Sequence, residues 1–275
     1  MRRQLASQIS GELDAGSSGF TSSVNGKDDL LAKSFYTTAR KIIAPNLCHA
    51  QSLYEKVLSS YVDSNTKWLD LGCGHQVLPS WRLEQEKKLV GRCRSVVGID
   101  YDSGSLKAHK SISERVRGSI TELPFRDNYF DLVTANMVVE HLDKPDAQFH
   151  EVFRVLKPGG GFVFHTPNAL GYLTIGARLI PNRFKKRLVY LLDGRNENDI
   201  FETHYRANSR KKIGELAHAT GFSLVKVKMM VTDAGFSSFS PPLAALELVW
   251  IRLLMTESLK PLRTQIIAIL KKPDQ

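Results

Sequence analysis

A short apolar run, Trp68-Leu69-Asp70-Leu71, passes directly into Gly72-Cys73-Gly74, and this junction constrains the chain more than any other feature. Two glycines at the end of a strand permit a tight turn and a close backbone approach to a ligand, and the helix that follows offers free N–H groups. The junction is therefore a strand–turn–helix unit with its open end turned toward a binding edge. A dinucleotide fingerprint would need a further glycine at position 77, where this chain has Val77, with Pro79 soon after. A phosphate loop would need a Gly-Lys-Ser/Thr ending, which is missing. An acidic residue two positions before Gly-x-Gly suits a ligand carrying an ammonium group better than a pyrophosphate.

The texture around this junction repeats it. Ser95–Asp100, Arg115–Gly118, Phe130–Asn136 and Gly161–His165 read as further strands. Between them lie helical stretches at Ser103–Ile112 and Pro145–Leu156, the second stopped by Lys157-Pro158-Gly159-Gly160. Upstream, Asn46–Val62 carries a one-sided apolar stripe through Leu47, Leu53, Tyr54, Val57 and Leu58. Strands alternating with helices predict a Rossmann-like α/β fold, a doubly wound and mostly parallel sheet with ligands at the strand C-termini. That edge would receive Asp70, Gly72, Asp100, Asn136 and Thr166. Residues 1–28, rich in Gly and Ser, read as a mobile tail, and 29–275 as one domain. Within it, 168–207 is expected to form a basic helical cap inserted after the fifth strand. A helix at Ser209–Thr220, a strand at Ser223–Val231, an amphipathic helix at 241–258 and a last strand at Gln265–Leu270 complete the reading.

Composition narrows the classes. The 275 residues are 42% apolar and 24% charged, enough for a core and unlike a disordered chain. Three cysteines, Cys48, Cys73 and Cys93, make neither a disulfide framework nor a zinc-type CxxC pair, so a cytoplasmic setting is expected. No apolar run follows Met1-Arg2-Arg3 as a secretory signal would require. Residues 1–150 hold 19 Lys and Arg against 18 Asp and Glu, whereas 151–275 hold 19 against 10. Nearly all of the net charge of +10 thus sits in the C-terminal half. It implies either an anionic partner, such as a phosphate or an acidic lipid surface, or only a solvated basic face.

A second motif, Val97-Gly98-Ile99-Asp100, follows Gly72 by 28 residues and ends a strand in a carboxylate able to accept from two ribose hydroxyls. The ordered blocks WLDLGCG (Trp68–Gly74), VVGIDYDS (Val96–Ser103), LPF (Leu123–Phe125), FDLV (Phe130–Val133), VEHL (Val139–Leu142) and RVLKPGG (Arg154–Gly160) resemble the class I S-adenosylmethionine-dependent methyltransferases. The chain is most similar to the small-molecule branch that contains the ubiquinone and menaquinone biosynthesis enzymes, well over residues 45–168 and loosely elsewhere.

The resemblance implies S-adenosylmethionine as cofactor and assigns it residues. Asp70, Gly72, Cys73 and Gly74 would line the methionine portion, and Asp100 would take the ribose hydroxyls with Tyr101 against the adenine. Ser119 and Ile120 would meet the adenine edge, and Asn136 would lie below the methionine end. The chain departs from the family at Ser119, where Asp is frequent, and at Gln76, which replaces a third glycine. Methyl transfer to a hydroxyl benefits from a general base, usually His. His141, beside Glu140 after the fourth strand, is the candidate, with a purely structural role as its rival; His165 and His204 read as packed residues.

The expected activity is methyl transfer to a small-molecule, lipid or glycan-linked acceptor, at oxygen. RNA methylation is the alternative suggested by the charge, although no RNA-binding module or aromatic-basic interleaving is evident. A non-catalytic S-adenosylmethionine-binding protein on the same fold is the other, since fold alone does not guarantee activity. The helix at 241–258 allows peripheral membrane contact as well as ordinary packing.

Overall fold

The computed structural model describes residues 26–180, 202–232 and 240–274. Two helices lead in, α1 (Gly26–Ile43) and α2 (Ala50–Tyr61). The repeating part follows as β1 (Lys67–Leu71), α3 (Leu83–Val90), β2 (Ser95–Asp100), α4 (Ser103–Ala108), β3 (Glu114–Arg117) and β4 (Phe130–Asn136). Then come α5 (Pro145–Val155), β5 (Leu156–Pro167), α6 (Tyr172–Leu179), α7 (Arg210–Thr220), β6 (Ser223–Met230), α8 (Pro241–Leu254) and β7 (Gln265–Lys271).

These strands form one seven-stranded sheet in the order β3-β2-β1-β4-β5-β7-β6. The first five are parallel, while β7 runs antiparallel to both β5 and β6. The chain leaves β1 outward through β2 and β3, then returns to place β4 on the other side of β1. That reversal makes the β1/β4 boundary the topological switch point, where open sheets of this kind form their ligand crevice.

Alternation along the strands divides the core into two layers. Leu69, Val133, Phe162, Phe164 and Ala268 pack with Phe149, Val152 and Leu216 on one side of the sheet. Trp68, Leu132, Val163 and Ile267 pack with Tyr54, Leu58 and Leu89 on the other. A third apolar cluster joins Ala44 and Leu47 to Leu248, Ile251 and Leu254 of α8.

Local chemistry sets the helix ends. Asp102 accepts the N–H groups of Gly104 and Ser105 at the start of α4. Ser209 caps α7, which closes on Gly221 at φ 85°. Ser240 caps α8, with Pro241 in its first turn.

Three elements differ from the sequence reading. The stretch Lys157-Pro158-Gly159-Gly160 does end α5 at Val155, yet it belongs to β5, because its backbone pairs with the end of β7. Gly159 donates to the carbonyl of Lys272 at 2.9 Å, and Lys272 donates back to Gly160 at 2.9 Å. Helix α4 stops at Ala108, short of Ile112, and the helix expected directly after the glycine turn begins only at Leu83, as α3 (LEQEKKLV), beyond Pro79. Of the expected cap, α6 and residues 202–207 are described, whereas Arg183, Lys185, Lys186 and Arg187 lie outside the described residues. The tail expected over 1–28 likewise falls outside them up to residue 25, and α1 begins at Gly26. Among the described residues no helix is long and apolar enough to cross a membrane.

Candidate cofactor site at the strand ends

At the end of β1 the chain turns through Gly72 and Gly74, both left-handed at φ 60° and 52°. A Cβ on Gly72 would lie 2.6 Å from Cγ2 of Val138, so any side chain there would meet the β4–α5 connection. Around Gly74 the reverse holds: no atom lies within 4 Å of where its Cβ would be. The loop is therefore packed on one flank and open on the other, a cradle beside the switch point. Cys73 between them is buried, and its Sγ fills the space that a Cβ on Gly98 would need. Its N–H donates to the carbonyl of Ile99 at 3.2 Å, and burial pushes its thiol far above the usual range.

Asp100 joins the two motifs directly. One carboxylate oxygen accepts from the Gly74 N–H at 2.9 Å and the other from the Asp102 N–H at 2.9 Å. Tyr101 stands out from the strand end, 59% exposed, with its carbonyl accepting from Arg117 Nε at 3.1 Å. Ser119 is exposed and hydrogen-bonded to the Thr121 hydroxyl at 2.6 Å. Ile120 lines a small apolar recess with Leu71, Ala135 and Val138. These residues lie at the ends of β2 and β3, polar at Asp100 and apolar at Ile120.

Asp70 has a different setting. Parallel register places it beside Thr134 of β4, on the Trp68 side of the sheet. The Trp68 indole donates to the Thr134 hydroxyl at 2.6 Å, and that hydroxyl donates to Asp70 at 2.5 Å. Burial pushes the Asp70 carboxyl up from 3.8 to about 7; the Thr134 hydrogen bond opposes this, while the negative charges of Glu86 and Asp100 add to it. The same burial, and the nearby Asp70, hold the Tyr54 phenol well above its usual range. A cationic group brought to the loop would meet a carboxylate that gains from being charged only when such a partner arrives.

Asn136 ends β4. Its amide nitrogen donates to the Val77 carbonyl at 3.1 Å, and its oxygen pairs with His165 Nδ1 at 3.0 Å. Burial lowers His165 to about 4, which leaves a neutral imidazole near neutral pH. His141 lies in the single turn after β4, with Nδ1 2.7 Å from the carbonyl of Glu202. A carbonyl only accepts, so Nδ1 carries the hydrogen of this bond. The Glu140 carbonyl accepts from the His204 and Tyr205 N–H groups at 2.8 and 3.1 Å, and its carboxylate accepts from Thr166 at 2.9 Å. Asn208 donates to the same Thr166 hydroxyl at 2.6 Å. The segment returning from the cap is thus clamped onto the turn that carries His141.

The structure ties the glycine loop to Asp100 at the ends of β1 and β2, with Asp70 buried in β1, Asn136 at the end of β4, and Tyr101, Ser119 and Ile120 just beyond β2 and β3. It also adds a supporting layer. Glu86 of α3, fully buried, accepts from the Leu78 N–H at 2.7 Å and from the Ser111 hydroxyl, bracing the far side of the glycine loop. Thr134 and Trp68 hold Asp70. Glu86 and Thr134 lie outside every quoted motif, and the pairing of Asp70 with Thr134 follows from strand register, which spacing alone does not reveal.

Residues 69–164 match the family model of a methyltransferase domain. The match covers about a third of the chain, and S-adenosylmethionine is the cofactor that this methyltransferase family implies. The demethylmenaquinone methyltransferase of Lactiplantibacillus plantarum is 34% identical over 112 residues, covering 38% of this chain and 46% of that protein. Its counterpart from Staphylococcus saprophyticus is 34% identical over 108 residues, 37% of this chain and 45% of that one. The chain thus spans less than half the length of these curated relatives. An S-adenosylmethionine-dependent methyltransferase from Mesorhizobium loti superposes with a TM-score of 0.51 at 18% identity, covering 78% of this chain and 96% of the other. One from Methanosarcina mazei gives 0.50 at 17%, covering 80% and 98%. At those identities the superpositions establish the shared fold.

Proposed function

We propose that the protein transfers the methyl group of S-adenosylmethionine to a small-molecule acceptor, lipid or glycan-linked, at oxygen. The observation that carries this is the tie between the two strand ends: Asp100 accepting from Gly74 beside a loop that is open at Gly74. The residues fit the cofactor. Asp70 and the loop backbone would hold its methionine end, Asp100 its ribose hydroxyls, and Tyr101 with Ser119 and Ile120 its adenine. Bound there, the cofactor supplies an electrophilic methyl group on a positively charged sulfur.

The chain's own work is then alignment and proton removal. Holding donor and acceptor in line contributes much of the acceleration in such displacements. His141, oriented through its Nδ1 bond to Glu202, would take the proton of an acceptor hydroxyl. The clamp from Glu202 to Asn208 would fix that imidazole relative to the crevice. A small-molecule acceptor is supported by the likeness to demethylmenaquinone methyltransferases; methylation at oxygen rests on His141 as base. The basic C-terminal half would favour an anionic acceptor.

Calorimetry with S-adenosylmethionine, its demethylated product and NAD tests the cofactor. Binding of the two sulfur ligands and none of NAD is expected, and the opposite pattern refutes the reading. Incubation with metabolite and lipid extracts, followed by mass detection of a methylene gain, then identifies the acceptor. Cofactor binding with no methylated product from any extract would instead favour a non-catalytic binding protein.

A further inference from the structure

Helix α8 (Pro241–Leu254) is apolar on both faces. Its inner face, Ala244, Leu248, Ile251 and Leu254, is buried against the Ala44–Leu47 segment and Val231. Its opposite face presents Leu246, Val249, Trp250 and Leu253, with Leu246 68% exposed. A helix apolar all round normally lies in a core; this one leaves half its apolar surface uncovered by the described residues.

The face extends onto α6, which the protein fixes to α8 at two points. The Tyr172 hydroxyl donates to the buried Glu247 carboxylate at 2.6 Å, and the Tyr172 ring meets Trp250 edge-on at 6.5 Å between centroids. Past that contact α6 exposes Leu179, at 78%. Among the described residues, Arg178 and Arg252 are the exposed charged side chains of α6 and α8, and the only acid in either helix is Glu247. The next acid along the chain, Glu257, is held by Lys260 at 2.9 Å and Arg263 at 3.0 Å.

We infer that the α6–α8 face docks on the surface of an anionic lipid bilayer. Exposed apolar area with a tryptophan at its edge, and with Arg178 and Arg252 as the exposed charges of its two helices, matches interfacial helices, whose apolar side sinks into the headgroup boundary. Charge complementarity selects lipid over a second copy of the chain. A two-fold contact through this face would gather the Arg178 and Arg252 side chains of both copies at one interface, whereas anionic headgroups attract all of them. The docking follows from the face itself, whatever the acceptor; its consequence rests on the proposed function. Helix α6 leaves the end of β5, and α8 leads into the start of β7, where Gln265 pairs with Pro167. Both helices therefore attach at the strand-end edge that carries Asp70 and Asn136, and docking would bring that edge to the lipid.

The test is co-sedimentation of the full chain with vesicles of phosphatidylcholine alone and of phosphatidylcholine with phosphatidylglycerol. Binding to the anionic vesicles, weakened by salt, is expected. The double variant Leu246→Glu with Leu253→Glu should bind at least about tenfold more weakly, since each buried methylene contributes to such binding. Arg178→Gln and Arg252→Gln should each weaken it roughly fivefold. S-adenosylmethionine affinity, measured on the same samples, should not change, so loss of docking and loss of the cofactor reading are separable. No binding to anionic vesicles, or equal binding by the Leu246→Glu/Leu253→Glu protein, overturns the inference. So does a self-association that the double variant abolishes, which would assign the face to a second copy. A large fall in melting temperature of that variant without vesicles also overturns it, because the face would then be covered by the chain itself.

Discussion

Replacing Asp70 by Asn isolates the cost of burying a carboxylate beside two others. The Asp70 carboxyl is 2% exposed and is moved from 3.8 to about 7, chiefly by burial. At about 1.4 kcal/mol for each tenfold change, ionising it inside the fold costs about 4 kcal/mol. The sign follows from proton binding. Between about pH 4 and pH 7 the unfolded chain has lost this proton and the folded chain retains it, so stability falls as pH rises through that window. Its contribution is fully present below pH 4 and is gone above pH 7. Asparagine keeps an acceptor for the Thr134 hydroxyl and cannot ionise, but buries an amide N–H pair at about 1–3 kcal/mol. Asp70→Asn should therefore be less stable than the parent near pH 4 by about 1–3 kcal/mol and more stable at pH 8 by a similar amount. The two stability curves cross between. Urea unfolding of both proteins across this range measures the difference directly. Parallel curves would show that Asp70 titrates at an ordinary carboxylate value in the folded chain, and the burial argument would fail. The variant should also bind S-adenosylmethionine weakly at every pH, whereas the parent should bind more tightly as pH rises through about 7, where the empty site releases its proton.

Asp100→Asn retains one oxygen for the Gly74 or Asp102 N–H but loses the charge; calorimetry should show S-adenosylmethionine affinity lower by about ten- to a hundredfold, and an unchanged value would make Asp100 only a loop residue. Gly72→Ala places a Cβ 2.6 Å from Val138 at φ 60° and should cost about 1–3 kcal/mol in urea unfolding, with Val138→Ala recovering part of it. His141→Gln should lower kcat at least about a hundredfold with cofactor affinity unchanged if His141 is the base; a kcat that holds while melting temperature drops would leave it the structural role of tying down Glu202. Neutralising Lys185, Lys186 and Arg187 together should raise KM for an anionic acceptor and flatten its salt dependence, and identical salt titrations would make these charges solubilising only.

Much of the architecture was legible in the chain because it rests on short-range rules. Alternating apolar strands and capped helices predict a doubly wound sheet, and the Gly72–Gly74 turn marks the ligand edge whatever the neighbours are. Spacing also paired Asp70 with Asp100, since one strand–helix–strand unit separates consecutive strand ends. Tertiary structure decided what those carboxylates are. Register set Thr134 beside Asp70, and α3 brought Glu86 under the same loop, so one aspartate is buried with a raised pKa while the other accepts two backbone N–H groups. It decided α8 as well: the amphipathic helix expected over 241–258 ends at Leu254 and carries apolar residues on both its buried and its exposed faces, and only packing chose which half is covered. It also moved Lys157-Pro158-Gly159-Gly160 from a helix stop into β5, through hydrogen bonds to residues more than a hundred positions away. Local propensity and periodicity depend on neighbours along the chain, whereas burial, register and electrostatic environment depend on neighbours that only folding brings together.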